Sequence, residues 1–316
     1  MLGVKVARLS TIKYSKTIMF EWLRIKKSTE KPPTEIPPEV DEIDTIPLSA
    51  PKVAEGKIGG TFVFGTDKGF NYKKYNEDAV VVDPESMAFA VIDGMGGMGA
   101  EKSGQQATNI LAEEFQKVFE GLEETNGSES FKEIFETAIG KAQESARERM
   151  KSDGRVGEGG AVYVAAKIHK NEMHIAHMGD AKLVVIGQDG AIRFATQDHN
   201  LANEKQKTGL SISPEDKAFV TRAVRGVDAF DIEFNKIILQ KGDRVIVASD
   251  GLWDNLEPEE VLSITSSKNI KEAFAQLDAE TKLRMQRDDS SPDAGKPDNR
   301  SLIIFDYLPP KVPAAV

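Results

Sequence analysis

Short apolar runs, several of them alternating with polar residues, recur from about residue 59 onward and predict a series of β-strands. Polar and Gly-containing pairs, such as Lys170-Asn171 and Asp189-Gly190, divide neighbouring runs in the way that is typical of β-hairpins. The predicted strands cover residues 61–65, 79–82, 87–92, 161–168, 173–177, 182–186, 191–195, 237–239, 245–248 and 301–307.

Apolar residues at helical spacing form two pairs of segments. The predicted helices cover about residues 110–122, 131–142, 257–265 and 269–286. Ser128 is the predicted N-cap of the second helix, because a hydroxyl there can accept a free backbone N–H. Residues 199–230 have no clean period, and we expect a flexible insertion there.

The order of these elements favours one architecture. Two blocks of antiparallel strands alternate with two helix pairs, and the regular strand–helix–strand alternation of a parallel sheet is missing. The sequence therefore predicts an α+β fold. Its expected form is a four-layer α/β/β/α sandwich, in which two antiparallel sheets are flanked by helix pairs.

The first 56 residues differ in composition from the rest. Residues 1–28 are basic, and residues 29–56 are rich in Pro and acidic residues, which indicates a linker. We therefore expect a flexible segment over residues 1–56 and one folded domain over residues 57–310. Residues 1–28 are either a frayed extension or a basic amphipathic helix that contacts a partner or an anionic membrane surface.

The amino-acid composition limits the kinds of metal site and nucleophile that the chain can form. The chain has no Cys and four His, which excludes disulfides, zinc–thiolate sites and cysteine nucleophiles. Any metal must be held mainly by oxygen, which favours hard cations such as Mg²⁺ or Mn²⁺. The net charge of -10 argues against a nucleic-acid partner. Neither a transmembrane run nor a secretory signal is visible, so we expect a cytoplasmic protein.

Two of the predicted strands run directly into an Asp-Gly pair, Asp93-Gly94 and Asp250-Gly251. A single Asp-Gly is more often a turn than a ligand. Here the first pair continues into a Gly-rich stretch, and Asp254 follows the second pair. A carboxylate at the end of a rigid strand, with an open backbone beside it, suits a metal site. Further acids stand at strand starts, in Asn76-Glu77-Asp78 and Asp298-Asn299.

These motifs together resemble those of the metal-dependent protein phosphatase family, also called type 2C, in the form common among bacterial members. The resemblance covers about residues 60–307 of the chain. In chain order the motifs are Lys73-Lys74-Tyr75-Asn76-Glu77-Asp78, Asp93-Gly94-Met95-Gly96-Gly97, Gly179-Asp180-Ala181-Lys182, Asp198-His199, Thr221-Arg222-Ala223, Ser249-Asp250-Gly251-Leu252-Trp253-Asp254 and Asp298-Asn299.

The resemblance implies a serine/threonine protein phosphatase whose substrates are phosphorylated proteins and whose opposing enzyme is a cognate Ser/Thr kinase. It implies two Mn²⁺ or Mg²⁺ ions that would share a hydroxide, which attacks phosphorus, and it implies a weaker third ion. Asp93 would bridge two cations, the Gly94 carbonyl would join the first, and Asp250 and Asp298 would join the second.

The remaining acids would lie around this centre. Glu77 and Asp78 would act partly through bound waters, and Asp180 and Asp254 would complete the third site with Asp250. Lys73 stands where the family has a phosphate-binding Arg. A lysine binds phosphate without the bidentate fork of Arg, so we expect weaker substrate binding.

Other departures from the family motifs leave alternative functions open. Met95 replaces a histidine of many eukaryotic members, and no general acid is assigned. Ala181 and Lys182 replace a Ser and an Arg. One alternative is therefore a pseudophosphatase, or phosphoprotein-binding module, with the same fold. A two-metal nuclease is a third hypothesis, against which the acidic charge argues.

Overall fold

The computed structural model describes residues 46–69, 75–96, 102–122, 130–154, 156–157, 159–227, 230–266, 268–287 and 295–309. Its strands are β1 (Lys52–Glu55), β2 (Thr61–Asp67), β3 (Asp78–Asp83), β4 (Ala88–Met95), β5 (Gly160–His169), β6 (Glu172–Met178), β7 (Lys182–Ile186), β8 (Ile192–Ala195), β9 (Val224–Arg225), β10 (Glu233–Ile238), β11 (Arg244–Ala248) and β12 (Arg300–Asp306). Its α-helices are α1 (Ser103–Gly121), α2 (Phe131–Ser152), α3 (Leu201–Thr208), α4 (Asp250–Trp253), α5 (Pro258–Thr265) and α6 (Ile270–Met285), and a 3-10 helix covers Pro214–Ala218.

The strands form two antiparallel sheets. The first sheet has the order β1-β2-β12-β11-β7-β8. The second has the order β10-β6-β5-β4-β3, with β9 paired to β5. Every predicted strand is present, most of them one or two residues longer than the apolar pattern indicates. The ladders extend further because backbone pairing does not depend on the side chain.

Three apolar clusters hold the layers together. Phe62, Phe89 and Phe305 pack in the cluster between the sheets, where the rings of Phe62 and Phe305 stack with centroids 4.3 Å apart. A second cluster joins α1 and α2 to the second sheet, and a third joins α5 and α6 to the first sheet. The predicted four-layer α/β/β/α sandwich is therefore confirmed.

The N-cap of helix α2 lies two residues after the predicted one. It is Ser130, whose hydroxyl accepts the N–H of Glu133 while the Glu133 carboxylate accepts the N–H of Ser130. This reciprocal pair satisfies two backbone donors, which favours Ser130 as the start. The predicted cap, Ser128, was therefore wrong as the start of this helix, and it lies outside the described residues.

The segment 199–230 contains regular structure, so its prediction as an irregular insertion was wrong. Helix α3 buries only Ala202 among its own residues, and it therefore has no apolar stripe for a sequence pattern to detect. Its ends are fixed instead by the Asn200 side chain, which accepts the N–H of Asn203, and by Gly209 in the left-handed conformation.

The folded structure also begins before residue 57. Strand β1 pairs with β2 in the first sheet, and Leu48 is buried in the cluster beneath α6. Residues 46–56 are thus part of the sandwich, whereas the sequence assigned them to a linker. Residues 1–28, and the remainder of the predicted flexible segment up to residue 45, lie outside the described residues. None of the helices described here has the length and apolar character that crossing a membrane requires.

Candidate metal centre

Strands β3 and β4 bring the first two acids together. Asp78 and Asp93 are directly opposite each other in the antiparallel ladder, so their side chains leave the same face of the sheet. Strand β4 continues through Asp93 to Met95 because Gly94 and Met95 pair with β5. The predicted strand end at residue 92 was therefore wrong, and Asp93 is held by backbone pairing on both sides.

Gly94 is required by close packing. A Cβ at this position would collide with the Glu77 carbonyl, the Thr108 hydroxyl and the Gly104 carbonyl. The Thr108 hydroxyl donates to the same Glu77 carbonyl at 2.7 Å, which ties the first turns of α1 to the site. Glu77 is 5% exposed, and its carboxylate packs against Gly96 and Gly104. The first turns of α1 therefore hold Glu77 beside Asp78.

Ser249 joins the strand that carries Asp78 to the opposite sheet. Its hydroxyl donates to Asp78 Oδ2 at 2.6 Å and accepts the N–H of Ser301 at 3.0 Å. Asp250 follows immediately, as the first residue of α4, and Asp254 closes that helix. The two sheets are thus connected at the point where their acids meet.

The closing Asp-Asn pair has two separate tasks. Asp298 presents a carboxylate whose side chain is 14% exposed, and its Oδ1 accepts the N–H of Asn299. The Asn299 amide accepts the N–H of Glu77 at 3.0 Å and donates to the Lys68 carbonyl at 2.9 Å. Asn299 therefore fixes the backbone that carries Glu77, while Asp298 faces the other acids.

Asp180 is positioned by the Asp198-His199 motif. Its neighbour Gly179 has a φ of +102°, a conformation that favours glycine. His199 Nδ1 accepts the Gly179 N–H at 3.0 Å, and Asp198 Oδ1 lies 3.2 Å from Lys182 Nζ. The motif thus holds both sides of the turn that carries Asp180.

The acids of the site are largely removed from water and lie close together, and both effects raise the pKa of several of them. Asp93 keeps part of its surface exposed, yet loss of water and the charges of its acidic neighbours raise its pKa well above the usual value. Burial, with the repulsion of Asp250 and Asp298, raises the pKa of Asp78 to about 8 despite the Ser249 hydrogen bond. Burial and Asp250 raise that of Asp180 to about 7. Ionised together, these acids need added positive charge.

One cation of the chain lies at this cluster. Lys296 Nζ is 3.1 Å from Asp250 Oδ2, 2.9 Å from Asp254 Oδ2 and 3.4 Å from Asp298 Oδ2. These carboxylates together raise the pKa of the lysine, against the opposing effect of its burial. The donor set is oxygen throughout, dense in negative charge and accessible in part, so it fits hard divalent cations.

The structure brings together most of the sequence-predicted site. The set comprises Glu77, Asp78, Asp93, Gly94, Asp180, Asp250, Asp254 and Asp298. Lys73 lies outside the described residues. Sequence reasoning missed Ser249 and Asn299 as supports, although both stand inside the motifs, and it missed Lys296, for which no motif gave a signal.

A second cluster has metal-ligand residue types but does not suit a metal. His177, His199 and Glu233 offer atoms within 4.8 Å of one another. Because His199 Nδ1 accepts a hydrogen bond, the ring proton is on Nε2, which faces Glu233 Oε2 at 3.0 Å. A protonated ring nitrogen cannot bind a metal, so His199 is a structural residue.

Comparison with known proteins identifies the family. The Protein phosphatase 2C family profile matches residues 72–288. This chain belongs to the protein phosphatase 2C family. The resemblance drawn from the motifs is thereby confirmed, and with it the prediction of a serine/threonine protein phosphatase.

Individual proteins and solved structures are also similar to this chain. A serine/threonine phosphatase, stp, of Listeria welshimeri is 27% identical over 219 residues, covering 65% of this chain and 82% of the relative. The PstP catalytic domain, crystallised with manganese, is 20% identical with a TM-score of 0.64, covering 78% of this chain and 97% of that one. The structure of Stp1 from Staphylococcus aureus is 21% identical with a TM-score of 0.66, and the match covers 81% of this chain and 98% of that one. These two structures share the fold of the sandwich.

Proposed function

We propose that this phosphatase hydrolyses phosphoserine and phosphothreonine at the acidic cluster centred on Asp93. The observation that carries the proposal is the direct opposition of Asp78 and Asp93 on β3 and β4. Like charges placed directly opposite in a sheet are destabilising, so a structural role alone gives no reason for the pair. A bound cation between them removes the repulsion.

Two Mn²⁺ or Mg²⁺ ions, and a weaker third, fit the cluster, and when bound they acidify a water and neutralise charge on the phosphoryl group. Asp93 would contribute to two cations, with the Gly94 carbonyl beside it. Asp250 and Asp298 approach from the first sheet, on α4 and before β12. The supports from Ser249 and Asn299 then hold the carboxylates in one arrangement before substrate arrives.

The other acids would complete the outer part of the centre. Glu77 and Asp78 would act at the rim of the site, partly through bound waters. Asp180 and Asp254 would hold the third cation together with Asp250. Lys73 would bind the substrate phosphate as a point charge, and its replacement by Arg is expected to lower KM because Arg binds phosphate at two points.

The proposed reaction also suggests partners for the protein. A phosphoprotein phosphatase acts on the products of a kinase, so a cognate Ser/Thr kinase is its expected counterpart. Contact of residues 1–28 with a partner or an anionic membrane surface stays a prediction from their basic composition. A cytoplasmic location likewise stays a prediction.

The pseudophosphatase alternative rests on Lys73 and Ala181. Ala181 is fully buried in the cluster between the sheets, where a serine hydroxyl would need a partner. Its replacement of Ser therefore suits packing and removes no acid from the site. The preserved carboxylates favour an active enzyme.

The test is Mn²⁺-dependent hydrolysis of a phosphothreonine peptide by the full chain. We expect the wild-type protein to release phosphate only when a divalent cation is present, and Asp93→Asn and Asp250→Asn to lose this activity. Lys132→Gln, which removes an exposed charge on α2, is the matched control and should behave like wild type. Turnover that persists in a chelator, or in both Asp variants, would overturn the proposal.

A further inference from the structure

Lys296 contacts three acids of the candidate metal centre at once. Its ammonium lies within 3.4 Å of carboxylate oxygens from Asp250, Asp254 and Asp298. The motif comparison assigns these residues to the second and third cations. Within the described residues, the ammonium of Lys296 therefore stands at carboxylates that two divalent cations would share.

The backbone around Lys296 is fixed in a way that holds the ammonium there. The Asn255 amide donates to the Lys296 carbonyl at 3.0 Å and to the Gly251 carbonyl at 2.9 Å, which ties this residue to α4. On the other side, the Gly295 N–H donates to the Arg284 carbonyl at 3.1 Å, at the end of α6. Asn255 is itself 3% exposed, so this anchor is sheltered from water.

The side chain of Lys296 can nevertheless leave. It is 47% exposed, and a lysine has a flexible four-carbon stem that allows its ammonium to swing into solvent. The Asp254 side chain is similarly exposed, at 45%. The contact is therefore open to replacement by a stronger cation, unlike the sheltered hydrogen bond between Ser249 and Asp78.

We propose that Lys296 is a tethered counter-cation that divalent ions must displace from Asp250, Asp254 and Asp298. This inference rests on the proposed function, because it assigns those acids to metal. In the metal-free protein the ammonium reduces the repulsion within the cluster. When metal binds, the ammonium competes for the same carboxylate oxygens. It therefore weakens the affinity of the second and third cations most.

The competition predicts an order of affinities for three proteins. Lys296→Gln removes the competing charge, and we expect its weakest measurable Mn²⁺ site to bind about tenfold more tightly than in wild type. Lys296→Arg keeps the charge and adds a fork that grips a carboxylate at two points, so we expect binding several-fold weaker than in wild type. Lys236→Gln removes a lysine on β10 that is paired with Glu172, at the edge of the second sheet opposite β3, and should match wild type.

The experiment is calorimetric titration of the full chain with Mn²⁺ alone, after removal of metal by a chelator. Thermal melting of the same samples adds a second readout. Without metal, Lys296→Gln should melt below wild type, because three carboxylates lose a counter-charge, and saturating Mn²⁺ should remove that difference. The Gln, wild-type and Arg proteins should rank in that order of affinity.

Each outcome decides the matter. Equal or weaker Mn²⁺ binding by Lys296→Gln overturns the proposal, and so does equal or tighter binding by Lys296→Arg. If Lys296→Gln does not fold without metal, the Arg comparison decides alone. A wild-type protein that binds no Mn²⁺ overturns this proposal and the proposed function together. Wild-type binding that is lost in Asp93→Asn, with no effect of Lys296, overturns this proposal only.

Discussion

Asp78 and Asp93 stand directly opposite each other on paired strands, with their carboxylates on one face of the second sheet. Burial and the neighbouring negative charges raise the pKa of both side chains. Such a pair opposes folding unless it is protonated or neutralised by a cation. The strongest expectations for this protein follow from that conflict.

Replacement of Asp93 should abolish metal binding without disturbing the fold. Asp93→Asn keeps the shape of the side chain and its place in the β3–β4–β5 ladder, while it removes one of the crowded charges. We expect kcat to fall by more than about 100-fold, because even residues that merely support a metal ligand cost 10–100-fold. Calorimetry with Mn²⁺ checks the loss of metal binding, and circular dichroism checks that the fold is unchanged. Asp231→Asn, an exposed acid before β10, is the matched control.

The metal-free protein should become less stable as pH rises from about 6.5 to 8.5. The folded-state pKa values of Asp78 and Asp180 are raised to about 8 and about 7, so the stability that their protonated forms provide is complete at acid pH and is lost as pH rises through these values. The expected loss is about 1–2 kcal/mol.

Thermal melting in a chelator measures this dependence. Burial lowers the pKa of His174, His177 and His199, so these residues offset part of the loss at the acid end of the window. Added Mn²⁺ should raise the melting temperature most at the alkaline end, because the ionised carboxylates bind it best. A metal-free melting temperature that is constant or rises over the window would contradict the assigned burial of these charges.

Loss of the Ser249 hydroxyl should weaken both the fold and the site. Ser249→Ala leaves the Ser301 N–H without its buried acceptor and removes one hydrogen bond from the Asp78 carboxylate, which costs about 1–3 kcal/mol. Urea unfolding measures the loss, and Mn²⁺ affinity should fall with it. Ser152→Ala, at an exposed helix end, should change stability by less than about 0.5 kcal/mol. Similar effects of the two variants would argue against Ser249 as a bridge between the sheets.

Helix α2 offers a test of stability without effect on catalysis. Ser130→Ala removes the hydroxyl that accepts the Glu133 N–H, while the backbone N–H at this position still donates to the Glu133 carboxylate, and the change should destabilise the protein by about 1 kcal/mol. Ser130→Asp retains an acceptor and should lose much less. The metal-saturated kcat of both variants should equal that of wild type, since α2 carries none of the candidate ligands. A fall in kcat that follows the loss of stability would contradict this separation.

Much of the fold could be predicted from the sequence because its elements bury apolar faces. Strands such as β5 and β11 are continuous apolar runs, and α1 has a clear apolar stripe. Helix α3 could not be predicted because a side-chain cap and a left-handed Gly define it, rather than buried apolar residues. Strand β1 was missed because its residues are mostly exposed and gain their order from pairing with β2.

The candidate site also contains residues that the sequence could predict and residues that it could not. Its acids could be predicted because they lie in compact local motifs, such as Asp93-Gly94 and Asp298-Asn299. Their supports act across long distances in the chain: Asn299 reaches Glu77 over 222 residues, and no local pattern contains that information. Lys296 was missed for a related reason, because its significance lies in the carboxylates that the fold gathers around it and not in its neighbours.

The central claim is that the crowded carboxylates exist to hold divalent cations. The most direct measurement is an anomalous difference map from crystals of the full chain grown with Mn²⁺. We predict two strong peaks, each within about 2.5 Å of an Asp93 oxygen, one of them also reaching Asp250 and Asp298. An absence of peaks at Asp93 in crystals saturated with Mn²⁺, or peaks confined to other acids, would contradict the account.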